Sequence, residues 1–250
     1  MRISDFTRSL FALLAIALVS GSGSTALAGN AFSLDYNTLT VLPSQTGQGL
    51  VYGTSFPNPA ETTAFRVQDK ALRLFTPSGF SWDPSAYYQL ANGYDSSIDV
   101  EITVRARVLD GSLDALYFYF GDNRFVGGFG IGPSRFGLPG VGNFIDFGVD
   151  PKVYHDYRYF SKGGSGKFTL SIDDREVYAG NLLQVTSGNS YAAFGHFGST
   201  SASGYVTADI AKIRYDNTGV AAVPEPSTIG LAALGAVAGL ATARRRLLGR

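Results

Sequence analysis

Residues 97–108 read SIDVEITVRARV. Ile98, Val100, Ile102, Val104, Ala106 and Val108 fall on one side of an extended chain, and Asp99, Glu101, Thr103, Arg105 and Arg107 fall on the other. Successive side chains of a strand point to opposite faces, so this stretch predicts a long strand with one dry side and one wet side. A dry side needs a second layer to cover it, and burial on one face only is the habit of antiparallel sheets.

The same period-two alternation recurs on both sides of it, over 64–68, 71–75, 86–90, 115–120, 124–131, 143–147, 153–160, 167–172, 176–178, 191–197 and 205–215. Clusters of Gly, Asn, Asp, Ser and Pro separate these runs, and helix-period segments are absent between the two ends of the chain. About a dozen strands with short turns predict an all-β fold, a two-sheet antiparallel β-sandwich of the jelly-roll type. The second half of GGFGIGPSRFGLPGVGN, residues 127–143, is too rich in Gly and Pro for regular structure and predicts a long loop. In VTADIAKIRY, residues 206–215, the apolar phase switches between Ile210 and Ile213, and a β-bulge near Ala211 would let both halves face the core.

The two ends read differently. Arg2 and Arg8 precede an apolar run at 10–19, and Ala26-Leu27-Ala28 offers a small-x-small site, so residues 1–28 are expected to be a signal peptide cut after Ala28 by signal peptidase. An apolar run of ten residues rises about 15 Å as a helix, half of a hydrocarbon core of about 30 Å. Residues 29–222 then form the exported domain, and 223–250 a separate tail. In that tail Val223-Pro224-Glu225-Pro226-Ser227 leads into an uncharged run at 228–243, long enough for about 24 Å of helix, and then into Arg244, Arg245 and Arg246. The expected reading is a transmembrane helix whose arginines stop transfer and stay in the cytoplasm.

This order of triplet, apolar helix and arginine cluster resembles the PEP-CTERM sorting signal. The resemblance implies a Gram-negative bacterium that makes exopolysaccharide, and an exosortase, a membrane-embedded cysteine transpeptidase, as processing partner. Pro224, Glu225 and Pro226 are then its recognition site, and the destination is the cell surface or the extracellular, biofilm matrix. Two prolines suit that role, because they hold the segment extended and solvated outside the bilayer.

Six of the 20 Lys and Arg and two of the 20 Asp and Glu lie in the end segments, which leaves the exported part at a net charge of about −4. That balance offers no nucleic-acid surface. The chain has no cysteine, which excludes disulfides, thiol catalysis, Cys-ligated metals and a lipoprotein anchor.

Residues 154–180, YHDYRYFSKGGSGKFTLSIDDREVYAG, and the closing stretch from Tyr191 resemble strand passages of concanavalin A-like lectins and glucanases, including laminin G-like domains. The resemblance implies a sandwich that binds or cleaves glycans. One departure is Asp173-Asp174 in place of Asp-Gly, which is expected to alter the type I′ turn, since Asp tolerates positive φ less well than Gly. A generic jelly roll is the nearest alternative.

Glycosidases of this kind set two or three carboxylates on one strand face, one to protonate the leaving oxygen and another to attack or to activate water. Asp99 and Glu101 share a face, but Thr103, Arg105 and Arg107 follow where a third acid is needed, so solvated charges paired across strands are the simpler reading. His155 and His196 lack a G-x-S-x-G elbow or a His-x-x-x-His spacing, and are expected to be structural. Asp122, Asn123, Asp173 and Asp174 lie in acidic turns that offer hard oxygen ligands, weak calcium candidates where solvated turns are the plainer reading. No other cofactor is expected. The aromatic cluster is the remaining resource: Trp82, Asp83, Tyr87, Asn92 and Tyr94 are candidates for glycan contact, with core packing as the competing role. Ice binding calls for a flat, regular array, often of threonines, and no such repeat occurs. The expected function is therefore a non-enzymatic, sorted surface protein, structural or exopolysaccharide-binding, with a divergent glycoside hydrolase or lyase as the alternative.

Overall fold

The computed structural model describes residues 30–54, 59–76, 85–111, 116–139, 145–196 and 205–219. The expected signal peptide, the sorting triplet, the transmembrane segment at 228–243 and the arginine cluster all lie outside the described residues, as do Trp82 and Asp83. Among the described residues no helix is long and apolar enough to cross a membrane. The chain divides into Met1–Thr218 and Gly219–Arg250, and every strand among the described residues belongs to the first unit.

In chain order the strands are β1 (Ala31–Asp35), β2 (Val51–Thr54), β3 (Phe65–Gln68), β4 (Ala71–Thr76), β5 (Ala86–Ala91), β6 (Val100–Gly111), β7 (Leu116–Gly121) and β8 (Phe125–Ile131). They continue with β9 (Phe136–Gly137), β10 (His155–Ser161), β11 (Lys167–Ile172), β12 (Arg175–Asn181), β13 (Leu183–Gln184), β14 (Tyr191–His196) and β15 (Val206–Asp216). The stretch that predicted a half-dry strand is β6, and Val100, Ile102, Val104, Ala106 and Val108 are all buried. It lies inside a first sheet of order β12-β11-β10-β6-β15-β4-β3, with β1 paired to β15. The second sheet has the order β13-β8-β7-β14-β5-β2, with β9 paired to β8. All pairings described are antiparallel, as the alternation in β6 required.

The two inner faces meet through rings. Phe120 of the second sheet lies edge-on to Tyr159 of the first at 5.4 Å between centroids, and Phe65 lies 4.6 Å from Tyr88. Phe32 of β1 stacks on Tyr215 at 5.5 Å and reaches Phe194 at 5.7 Å. Each such pair adds about 0.5–1.5 kcal/mol beyond the area it buries.

The bulge expected near Ala211 is present, where the register of β15 against β6 shifts between Ile210 and Lys212. It marks a change of partner: β4 pairs with 206–210 and β1 with 212–216, while the Tyr36 N–H donates to the Ala211 carbonyl at 3.0 Å. Val206, Ala208, Ile210, Ile213 and Tyr215 consequently all face the core.

Four expectations need correction. Glu61–Ala64 is a single helical turn preceding β3. The strand expected over 143–147 shrinks to one bridge between Ile145 and Phe136, and 140–144 lie outside the described residues. The run at 176–178 belongs to a longer strand that is bulged opposite Leu170 and Ser171. The Asp173-Asp174 turn keeps positive φ at both residues, 49° and 63°. Its strain is offset locally, because Asp173 accepts from the Asp156 N–H at 3.0 Å and contacts His155 Nδ1 at 2.6 Å.

Candidate functional site

Strand β7 turns Leu116, Phe118 and Phe120 into the core and Tyr117 and Tyr119 outward. Their register partners on β8 are Gly130 and Gly128, and on β14 Gly195 and Ala193. The outward positions of β5 are Tyr87 and Gln89, which face Gly195 and Ala193 on one side and Gly53 and Val51 on the other. Every outward tyrosine thus has a glycine beside it on a neighbouring strand.

That pairing is steric. A Cβ on Gly130 would stand 2.2 Å from the Tyr117 ring, and one on Gly53 would stand 2.6 Å from the Tyr87 ring. Gly128 and Gly195 carry φ of 125° and 139°, which side-chain-bearing residues rarely adopt. The rings therefore lie down over glycine backbone, with Tyr117 and Tyr119 4.8 Å apart, and the second sheet presents a low aromatic floor. Tyr87 and Tyr119 are partly exposed, whereas Tyr117 is 7% exposed. Among the described residues, the outward positions of β2, β5, β14, β7 and β8 between Val51 and Gly128 carry Tyr, Gly, Ala, Gln or Val. Such a floor can stack a sugar ring and offer the Gln89 amide.

Of the five residues predicted for glycan contact, Tyr87 is on this face. Asn92 is exposed in the turn after β5 at φ 55°, its N–H on the Ser190 carbonyl at 2.9 Å. Tyr94 belongs to the core instead: it is 4% exposed, its ring lies 4.6 Å from Phe120, and burial raises its hydroxyl pKa. Tyr119, Tyr117 and the glycines were missed, although LYFYFG beside FVGGFGI does carry a readable signal of outward tyrosine against outward glycine.

Glu101, Asp156 and Asp209 lie on the first sheet, whereas Asp99 stands just before β6 and does not share the expected strand face with Glu101. Glu101 accepts from Arg158 Nε at 2.6 Å, and Asp99 accepts from the Gly163 N–H at 2.8 Å. Asp156 accepts from Arg105 at 2.6 Å. Asp209 of β15 sits opposite Arg73 of β4 and Arg107 of β6, accepts two bonds from each at 2.7–3.0 Å, and is 1% exposed. The Tyr154 ring lies over Arg107 at 4.6 Å. Burial by itself would raise the Asp209 pKa, but the two guanidinium groups hold it below the ordinary carboxylate value.

His155 is framed by two acceptors, Asp173 Oδ2 and the Asp150 carbonyl at 3.0 Å. His196 is fully buried at the end of β14, opposite Ala86. Asp122 caps its own turn, accepting the N–H groups of Arg124 and Phe125 at 2.7 and 2.8 Å and that of Ser96 at 3.1 Å. Desolvation opposes ionisation there, but these bonds lower the Asp122 pKa, and Asp173 is lowered likewise by the Asp156 N–H and His155. The oxygens offered as calcium ligands are thus engaged with backbone and imidazole, and Asn123 and Asp174 stand exposed in their turns. Among the described residues no three His, Asp or Glu side chains gather closely enough to hold a metal ion.

Compared with known proteins, residues 222–246 match the PEP-CTERM protein-sorting motif. The motif implies an exported protein that an exosortase processes and that is sorted to the cell surface or extracellular space. No curated protein matches the chain in sequence. Among solved structures, the chain is similar to a sialidase at 10% identity and a TM-score of 0.52, over 76% of this chain and 19% of that one. It therefore spans about a fifth of the sialidase's length. A prokaryotic β-1,3-1,4-glucanase (lichenase) from a mouse hindgut metagenome aligns at 12% identity and 0.45, over 75% of this chain and 99% of that one. The Emp47p carbohydrate recognition domain aligns at 12% and 0.42, over 77% and 98%. At 10% identity the likeness to the sialidase is one of fold alone, a two-sheet antiparallel sandwich.

Proposed function

We propose that this chain is a non-enzymatic, exosortase-sorted protein of the cell surface or biofilm matrix of a Gram-negative bacterium, and that it binds the producer's exopolysaccharide on the tyrosine and glycine face of its second sheet. The observation that carries this reading is the register of Tyr117, Tyr119 and Tyr87 against Gly130, Gly128 and Gly53. Glycines at those positions let the rings lie low as a floor, on which Tyr87 and Tyr119 stay partly exposed, and a sugar's C–H face stacks on such a floor without any charge. The sorting motif supports the extracellular setting. Calcium has no role in this reading.

A glycan array and a pull-down with the producer's own polysaccharide test the binding. Tyr119→Ala removes a partly exposed ring, and we expect at least a fivefold weaker Kd, in line with roughly 1–3 kcal/mol for a ring stacked on an aromatic partner. A wild-type protein that binds neither the array nor the polysaccharide removes the binding reading. The alternative is a glycoside hydrolase or lyase acting through Asp99 and Glu101. Reducing ends released by the wild type and lost in Asp99→Ala or Glu101→Ala would establish it. The bonds of both carboxylates, to Gly163 and Arg158, favour the non-enzymatic reading.

A further inference from the structure

The outer face of the first sheet carries a hollow at its β10–β11–β12 end, on the opposite side of the sandwich from the tyrosine floor. Phe160, Thr169 and Ala179 form one cross-strand row across its base, and Lys167 pairs with Asn181 in the next. The turn after β10 closes one end, held by the Ser165 hydroxyl donating to the Lys162 carbonyl at 2.6 Å. The hollow measures about 520 Å³, within the roughly 300–1,000 Å³ of small-ligand clefts.

Its charge contributes to its character, and Arg66 of β3 and Arg175 of β12 likewise lack an ion-pair partner among the described residues. The cations at outward positions of β4, β6, β10 and β15 are neutralised: Arg73 and Arg107 by Asp209, Arg105 by Asp156, Arg158 by Glu101, Lys212 by Asp35 and Arg214 by Asp216. Lys162 and Lys167 are exposed and have no ion-pair partner among the described residues. Two ammonium groups outside any ion pair among the described residues thus flank a partly exposed phenyl ring, with Glu101, held by Arg158, opposite Phe160 and Asp99 bonded to the Gly163 N–H beside Lys162. The side chains of Thr169 and Asn181, beside the ring, add a hydroxyl and an amide.

We infer that this hollow is a second saccharide site, selective for a sugar chain bearing carboxylates, a polyuronate. A uronate pyranose has the matching parts: an apolar C–H face for Phe160, a carboxylate for Lys162 or Lys167, and hydroxyls for Thr169 and Asn181. A neutral glycan leaves both lysines unanswered. The inference rests on the exopolysaccharide-binding reading, and adds to it a charged subsite on the other face.

The experiment is isothermal titration of the full chain, purified in detergent, with a hexauronate, a neutral gluco-hexaose and glycerol phosphate. For Lys162→Gln/Lys167→Gln we expect about tenfold weaker hexauronate binding, as two exposed ion pairs together allow, and unchanged neutral-glucan binding. Lys162→Arg/Lys167→Arg should stay within about threefold of the wild type, because charge is kept, and added salt should weaken only the uronate arm. Tyr119→Ala should leave uronate affinity intact while weakening the neutral arm, so failure of one site is separable from failure of the other. Hexauronate binding that is absent in the wild type, indifferent to the lysines, or lost in Tyr119→Ala overturns the inference. So does lysine-dependent binding of glycerol phosphate without uronate binding, which would mark an anionic headgroup as the ligand.

Discussion

Asp209 is a carboxylate at a strand position that alternation marks as outward, yet Arg73, Arg107 and Tyr154 cover it. Its folded pKa is lowered, so its stabilising contribution is complete above the unfolded value of about 3.9 and disappears as pH falls through the lower folded value. Asp122 and Asp173 shift in the same direction. We therefore expect thermal melts to hold steady from neutral pH down to about 4 and to fall steeply below it. Asp209→Asn should cost about 2–4 kcal/mol at pH 7, since both guanidinium groups retain some access to solvent, and its deficit should narrow below pH 4. An equal deficit at pH 7 and pH 3 would show that packing around the side chain matters and its charge does not. A second residue-scale expectation concerns Tyr157, whose buried hydroxyl has no hydrogen-bond partner among the described residues. Tyr157→Phe should be neutral or stabilise by about 1 kcal/mol in denaturant titration, because the removed group carries a desolvation cost.

At the scale of elements, β8 shows how two glycines with the same appearance in FVGGFGI do different jobs. At Gly128 a Cβ would meet the Phe118 carbonyl oxygen at 2.0 Å with φ at 125°, and backbone cannot swing aside. At Gly130 the obstacle is the Tyr117 ring, a side chain able to turn. Gly128→Ala should therefore cost about 3 kcal/mol or more and Gly130→Ala about 1–2, as compared by chemical denaturation. Equal costs would place the strain in the sheet as a whole. The strands themselves were mostly legible in the sequence, because β6, β7, β8, β11 and β14 carry strong alternation or aromatic runs. The strands β1 and β2 were not, since AFSLD is short and VYGT has a glycine where a pattern would need a side chain. The bulge at Ala211 was legible because a phase switch is written into the order of apolar residues. Its use as a change of partner from β4 to β1 was not.

At the scale of the molecule, the sorting tail and the sandwich answer different questions. Replacing Pro224, Glu225 and Pro226 with alanine should leave the tail attached, so that mass spectrometry of the membrane fraction finds an intact C-terminus with Arg250 while the wild type is shortened. An unshortened wild type in a host that encodes an exosortase would refute processing at this motif. The sandwich should melt alike in both, because every strand among the described residues ends at or before Asp216. The sequence by itself determined the half-dry strands, the all-β class, the turn-rich spacing, the absence of thiol chemistry and the sorting motif, since each depends on the identity or spacing of neighbours in the chain. Only the tertiary structure decided which tyrosine meets which glycine, that Tyr94 is core, that Asp209 is shared by two arginines, and that Lys162 and Lys167 flank one hollow. Those are matters of register between strands far apart in the chain. Alternation says which way a side chain points but not what stands opposite, and a shift of one residue in pairing would set a different neighbour there.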